Sequence, residues 1–176
     1  MAITKASENQ IDAILSLCKE CSQNMLNNSL DQWDEVYPNR EIFLNDIKND
    51  SLFIANYDNS KEIIGCVVLN EYQDPEYGDI EWKHDGENIA VIHRLMVHPK
   101  YEGRGIAKSL VGFVEELAQK GQYDSVRLDV FQKNQRAVNF YHKLGYTVSG
   151  KVTFRKGEFW CCEKPLTRKV NKYGGL

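Results

Sequence analysis

Hydrophobic positions along this chain change their period several times, and each change marks an element. Ile11, Ile14, Leu15, Cys18 and Met25 recur at helical spacing and predict an amphipathic helix running to about Leu26. Ser7, with Gln10 on the third position after it, gives a capping-box pattern at the start. A polar stretch from Asn27 to Asn39, interrupted by Leu30, Trp33, Val36 and Tyr37 and stopped by Pro38, leads to a second, short helix. That helix is predicted over Glu41–Asn49, with Ile42, Phe43 and Ile47 turned inward.

The pattern then becomes strand-like. Leu52–Tyr57 and Ile63–Leu69 flank Asp58-Asn59-Ser60, a turn composition that predicts an antiparallel hairpin. Tyr72 to Asn88 is polar, holds Pro75, Gly78 and Gly86, and reads as a loop. Ile89–Val97 is nearly continuous in apolar residues up to His98-Pro99, which predicts a central strand covered on both faces. Ile106, Leu110, Val114 and Leu117, with Ala107, Val111 and Ala118, draw a helical stripe that Gly121 would close as a C′ glycine. Ser125–Phe131 alternates like a strand, and Asn134 can cap a helix carrying Ala137, Phe140, Tyr141 and Leu144 that ends at Gly145. Tyr146–Val152 and Glu158–Lys164, joined through Lys156-Gly157, are the last strands, and the polar, basic residues 167–176 form a tail expected to fray. With no repeat and no linker, the chain reads as one α/β domain over residues 1–166, built on one mixed sheet.

Composition narrows the partners. A length of 176 residues suits one core, and a formal net charge of -3 leaves no basic excess to neutralise phosphates, so nucleic acid is not an expected partner. The N-terminal MAITKASENQ lacks an apolar core, and no apolar run could span a bilayer, so the expected location is the cytoplasm, with no membrane partner. The five cysteines include Cys18 and Cys21 on a predicted helix and the adjacent Cys161 and Cys162 on a predicted strand. Neither pair has a companion at zinc-site spacing, so free thiols and no metal are expected.

The sharpest chemical signal is VHPKYEGRGIAKSL, Val97 to Leu110. A strand stops at proline, and Gly103 and Gly105 bracket Arg104 just before a strong helix. Glycines let the backbone approach a ligand, and the helix N-terminus offers unpaired N–H groups, so phosphate is the natural guest, with Arg104 and Lys108 able to add charge. The segment lacks the Gly-Lys-Ser/Thr of a Walker loop and the third glycine of a dinucleotide fingerprint. Taken alone it fits a structural turn as well as an anion site.

A second motif, NQRAVNFYHKLGY from Asn134 to Tyr146, follows the next strand. With Glu102-Gly103-Arg104-Gly105-Ile106-Ala107 ahead of it, the stretch Ile89 to Leu166 resembles the GNAT superfamily of acetyl-CoA-dependent N-acetyltransferases. The family loop reads Gln/Arg-x-x-Gly-x-Gly/Ala, so Glu102 departs from its first position. The resemblance implies a single mixed, largely antiparallel central sheet flanked by helices, and acetyl-CoA as acetyl donor without a metal. It implies donor contacts from Leu95, Met96 and Val97, from Glu102, Gly103, Arg104, Gly105, Ile106, Ala107 and Lys108, and from Asn134, Ala137, Phe140, Tyr141 and Lys143. It also places the Tyr141 phenol near the CoA sulfur as general acid.

His93, polar within an apolar strand, is the provisional base, with a satisfied core histidine as the alternative. Trp33, Arg94 and Asp129 are candidate acceptor contacts, although Arg94 and Asp129 are expected to form a structural ion pair, and Arg94 faces away from His93 unless the strand bulges. Asp31, Asp34 and Glu35 around Trp33 would draw a cationic amine, and Phe154, Phe159 and Trp160 could line the same pocket. The implied partner is a small-molecule or peptide amine, and the resemblance allows a homodimer. A non-catalytic acyl-CoA-binding module and a nucleotide-binding α/β domain stay open beside the enzyme.

Overall fold

The computed structural model describes residues 1–57, 60–84 and 86–167, so the tip of the first predicted hairpin and residues 168–176 of the predicted tail lie outside the described residues. The backbone N–H of Ser7 donates to Gln10 Oε1 at 2.9 Å, as the capping box requires, but the box starts a 3-10 turn over Glu8–Gln10 that leads into helix α1, Ile11–Asn27. Helix α2, Arg40–Lys48, begins at Asn39, whose side chain accepts the Ile42 N–H at 3.1 Å. Strands β2 (Leu52–Asn56) and β3 (Ile63–Asn70) pair antiparallel as predicted. Strand β4 (Ile89–Val97), helix α3 (Ile106–Lys120), strand β5 (Ser125–Phe131), helix α4 (Gln135–Lys143) and strands β6 (Thr147–Phe154) and β7 (Gly157–Pro165) complete the order.

Two local readings change. Ala2–Lys5 forms a strand, β1, pairing antiparallel with β2. It lies at the sheet edge and is largely exposed, so the hydrophobic alternation that betrays a strand is missing. Gly121 does not take the left-handed conformation (φ −73°); Gln122 does, at φ 61°. Glycine is wanted at 121 for space, because an added Cβ would sit 2.9 Å from the Tyr123 ring.

Among the described residues seven strands lie in the order β1-β2-β3-β4-β5-β7-β6, and of these neighbours only β4 and β5 run parallel. Helices α3 and α4 pack on one face through Ile106, Leu110, Val114 and Tyr141 against Ile64, Ala90 and Leu128. Helices α1 and α2 cover the other face of the first half-sheet through Ile14, Leu17 and Phe43 against Ile54, Cys66 and Met96. The 72–84 loop, with Tyr77 wholly buried, covers that second face beside β5 and β7. All five cysteines are buried free thiols. No helix among the described residues is long and apolar enough to cross a membrane.

The feature that makes a site is a split in this sheet. β4 and β5 are paired only at Ile89–Val91 against Ser125–Arg127. Beyond Val91 the two strands have no mutual partner, and a cavity of about 1000 Å³ opens there, lined from both faces of the sheet.

Candidate active site

Where β4 leaves β5 it also bulges. Its pairing with β3 steps from Val68↔His93 to Cys66↔Met96, so β4 carries one residue more than its partner. Arg94 absorbs the extra residue with a left-handed φ of 49°. The alternation resets as a result: Ile92 and Leu95 both pack on the α3/α4 side, whereas Met96 packs on the α1/α2 side. Arg94 therefore turns toward α1 and α2, the side on which regular alternation already places His93.

That turn decides its partner. The expected Arg94–Asp129 ion pair is absent; Arg94 pairs with Asp46 of α2, Nε to Oδ2 at 2.8 Å and Nη2 to Oδ1 at 2.6 Å. Its remaining nitrogen donates to the Tyr37 hydroxyl at 2.9 Å. Both charged side chains are nearly sealed, with 8% and 4% of their surface exposed. The bulge is thus pinned to α2, and Tyr37 is held at the rim of the cavity.

His93 is 9% exposed and lies on the cavity wall. Its Nε2 is 3.1 Å from Asn70 Oδ1 and 3.1 Å from the Tyr72 carbonyl, two acceptors that place the neutral ring's proton on Nε2. Burial first, and then the neighbouring Arg94 charge, push its pKa down to about 4. Asp129, on β5, meets the cavity from the opposite arm of the split. Tyr77 donates to its Oδ2 at 2.7 Å, and Oδ1 has no hydrogen bond among the described residues. The carboxylate is half-buried at the cavity wall, and burial lifts its pKa to about 6.

Tyr141 enters from the α3/α4 side. It is 8% exposed, packs edge-on against Phe140 and Tyr146, and its hydroxyl bonds to none of the described residues. Burial, reinforced by the Asp129 charge, pushes the phenol's pKa well up, so it stays protonated at neutral pH. It faces the cavity as an unspent donor.

The loop between β4 and α3 forms the cavity's floor. A 3-10 turn over Pro99–Tyr101 precedes Gly103 (φ 74°) and Gly105 (φ 80°), both left-handed and both with open space where a Cβ would stand. Gly105 is the N-cap of α3 and offers no side chain to its first-turn N–H groups. An uncapped helix start beside two unobstructed glycines fits a phosphate group, with Leu95, Met96, Val97, Ile106, Ala107 and Lys108 along the same wall. Across the split stand Asn134, Ala137 and Phe140. Asn134 caps α4 through the Ala137 N–H at 3.1 Å and reaches Gln32 with its amide. Two expected donor contacts fall outside this wall: Arg104 lies over the Tyr101 ring, and Lys143 is exposed at the end of α4. Glu102, the departure from the family loop, is not free in solvent. It is ion-paired with Arg136 of α4 and accepts from Asn24 of α1 at 3.4 Å, so it ties both arms of the split together.

On the α1/α2 side Trp33 is buried and lines the cavity with Tyr37, Phe154 and Phe159; Trp160 is not in the wall. The acidic loop around Trp33 commits Asp31 and Asp34, two of its three carboxylates, to ion pairs. Asp34 pairs with Arg155 and Lys156, and Asp31 with Lys156, so the α1–α2 loop is strapped to the β6–β7 hairpin. Those partners hold the Asp34 carboxyl well below the usual carboxylate range. Asp74, from the loop after β3, and Asp129 line the wall, with the Arg136-paired Glu102 at the donor loop. Asp74, Tyr37 and Arg136 had no signal in the sequence, because each acquires its place from a loop or helix start brought across the split.

Comparison with known proteins agrees with this geometry. The family model for the Acetyltransferase (GNAT) family matches residues 11–146. Streptothricin acetyltransferase of Escherichia coli is 33% identical over 73 residues, 42% of either chain. The chain spans about half the length of the curated relatives it matches. Among solved structures, a GNAT-family acetyltransferase from Streptococcus agalactiae superposes with a TM-score of 0.81 at 26% identity, covering 94% of this chain and 95% of the other. The PaiA N-acetyltransferase of Thermoplasma acidophilum, solved in complex with coenzyme A, has a TM-score of 0.72 at 22% identity over 94% of this chain and 98% of its own.

Proposed function

This chain belongs to the acetyltransferase (GNAT) family, and from that premise we propose that it transfers an acetyl group from acetyl-CoA to a primary amine of a small molecule or peptide, both substrates being bound together. The observation that carries the reading is the split itself: an uncapped helix start and an unpartnered Tyr141 hydroxyl lie on one side, and an aromatic pocket with two carboxylates lies on the other. Acetyl-CoA supplies the activated acetyl group. The first-turn amides of α3, with the backbone at Gly103 and Gly105, take its pyrophosphate. The edge of β4 left unpaired beyond Val91 supplies backbone donors for the pantetheine arm and the thioester carbonyl. Tyr141 donates its proton to the departing sulfur. His93 and Asp129 reach the acceptor side as candidate proton acceptors. A coenzyme A complex of the same fold, that of PaiA, supports the donor assignment.

The test measures acetyl-CoA binding by calorimetry and release of free thiol with an amine panel. Tyr141→Phe is expected to lower kcat by about 100-fold or more while leaving acetyl-CoA affinity unchanged. Equal turnover by the variant removes Tyr141 as the acid. Binding without turnover on any amine replaces the enzyme by a binding module.

A further inference from the structure

Resting on that reading, we propose that Asp129 takes the proton from a primary ammonium carried on a planar apolar body, and that Tyr77 positions the receiving carboxylate.

The placement comes from the split. Asp129 stands on β5 past the last β4–β5 pair, on the α1/α2 face, with Oδ2 fixed by the Tyr77 hydroxyl and Oδ1 open to the cavity. An ammonium arriving among Trp33, Tyr37, Phe154 and Phe159 meets that oxygen first, with Asp74 on the same wall adding negative potential. His93 serves this purpose less well. Protonating its ring at Nδ1 would place a cation beside the buried Arg94.

The charges around Asp129 set its proton affinity. Burial raises it most, the Tyr77 hydrogen bond lowers it, Asp74 raises it and Arg94 lowers it, and the net position is about 6. Tyr37 from the α1–α2 loop, Tyr141 from α4, and Cys161 and Cys162 from β7 also feel its charge, but burial holds each of these phenols and thiols in the neutral form.

The step balances without a further reactant. The ammonium gives one proton to Asp129. The nitrogen lone pair then forms the N–C bond to the acetyl carbon as the C–S bond breaks. The sulfur takes the Tyr141 proton, the nitrogen's surplus proton returns to the Tyr141 oxygen, and Asp129 releases its proton to solvent. One amide, one thiol and one proton result.

Phenethylamine is the probe, with kcat/KM followed against pH in the wild type, Asp129→Asn, Tyr77→Phe and His93→Gln. Asp129→Asn is expected to bind acetyl-CoA normally, to lose about 100-fold or more in kcat/KM near neutrality, and to lose the acid limb. Tyr77→Phe, which removes a bond to the ionised carboxylate, should shift the limb to higher pH, an effect that lost packing alone would not produce. His93→Gln should keep the limb in place. If Asp129→Asn does not bind acetyl-CoA, Tyr77→Phe carries the test. Activity of Asp129→Asn within about threefold of wild type, an unmoved limb in Tyr77→Phe, or loss of the limb in His93→Gln overturns the proposal. Acetyl-CoA binding with no thiol release from phenethylamine by the wild type also overturns it, whereas no acetyl-CoA binding at all overturns the proposed function beneath it.

Discussion

His93 on β4 and Asp129 on β5 both line the split and titrate in opposite senses, and the consequence for stability can be worked out. Burial, and then Arg94, lower His93 from 6.5 to about 4. Between those values the unfolded chain binds a proton that the folded chain excludes, so this group's contribution is complete above pH 6.5 and is lost as pH falls toward 4. Burial raises Asp129 from 3.8 to about 6. There the folded chain holds a proton that the unfolded chain releases, so its contribution is complete below 3.8 and is lost as pH rises through 6. Each shift corresponds to about 3 kcal/mol at most, and water in the cavity reduces the expected effect to about 1–2 kcal/mol. The two nearly cancel in the wild type.

Removing either group exposes the other. Urea unfolding at about pH 4.5 and about pH 7 yields the stability difference between these conditions for each variant. Relative to the wild type, His93→Gln should lose about 1–2 kcal/mol on going to the higher pH, and Asp129→Asn should gain about as much. Groups common to all three proteins drop out of the comparison. Two variants that both parallel the wild type to within about 0.5 kcal/mol would refute the opposed burial of these groups.

Two further outcomes follow from paired charges. Asp46→Asn leaves the buried Arg94 charge without its anionic partner, and is expected to cost about 3–5 kcal/mol in urea unfolding; a loss below about 1 kcal/mol would mean that the guanidinium escapes to water. Glu102→Gln frees Arg136 and removes a carboxylate from beside the proposed phosphate site, so acetyl-CoA should bind about two- to fivefold more tightly in calorimetry, with the gain shrinking as salt is raised; weaker binding would show that the pair orders the loop.

Which parts of this site were legible in the sequence follows from where the information resides. Gly103, Gly105, the Asn134 cap and Tyr141 announce themselves locally, because a left-handed turn, a helix start and an aromatic on a short helix each leave a mark within a few residues. The exposed edge strand Ala2–Lys5 leaves none, having almost no buried face to pattern. The acceptor side depends on one inserted residue. Without the bulge, strict alternation would turn Arg94 toward α3 and α4 and leave Asp46 buried with no counter-charge. With it, Arg94 is satisfied by Asp46 on the α1/α2 face, and Asp129 on that same face has no ion pair among the described residues. No periodicity reveals such a bulge, since a continuous apolar run such as Ile89–Val97 reads the same in either register. The shift of one residue in β4 therefore brings Arg94 to the face on which Asp129 stands, and it is Asp46 of α2, by claiming the guanidinium in two hydrogen bonds, that leaves the Asp129 carboxylate to the cavity.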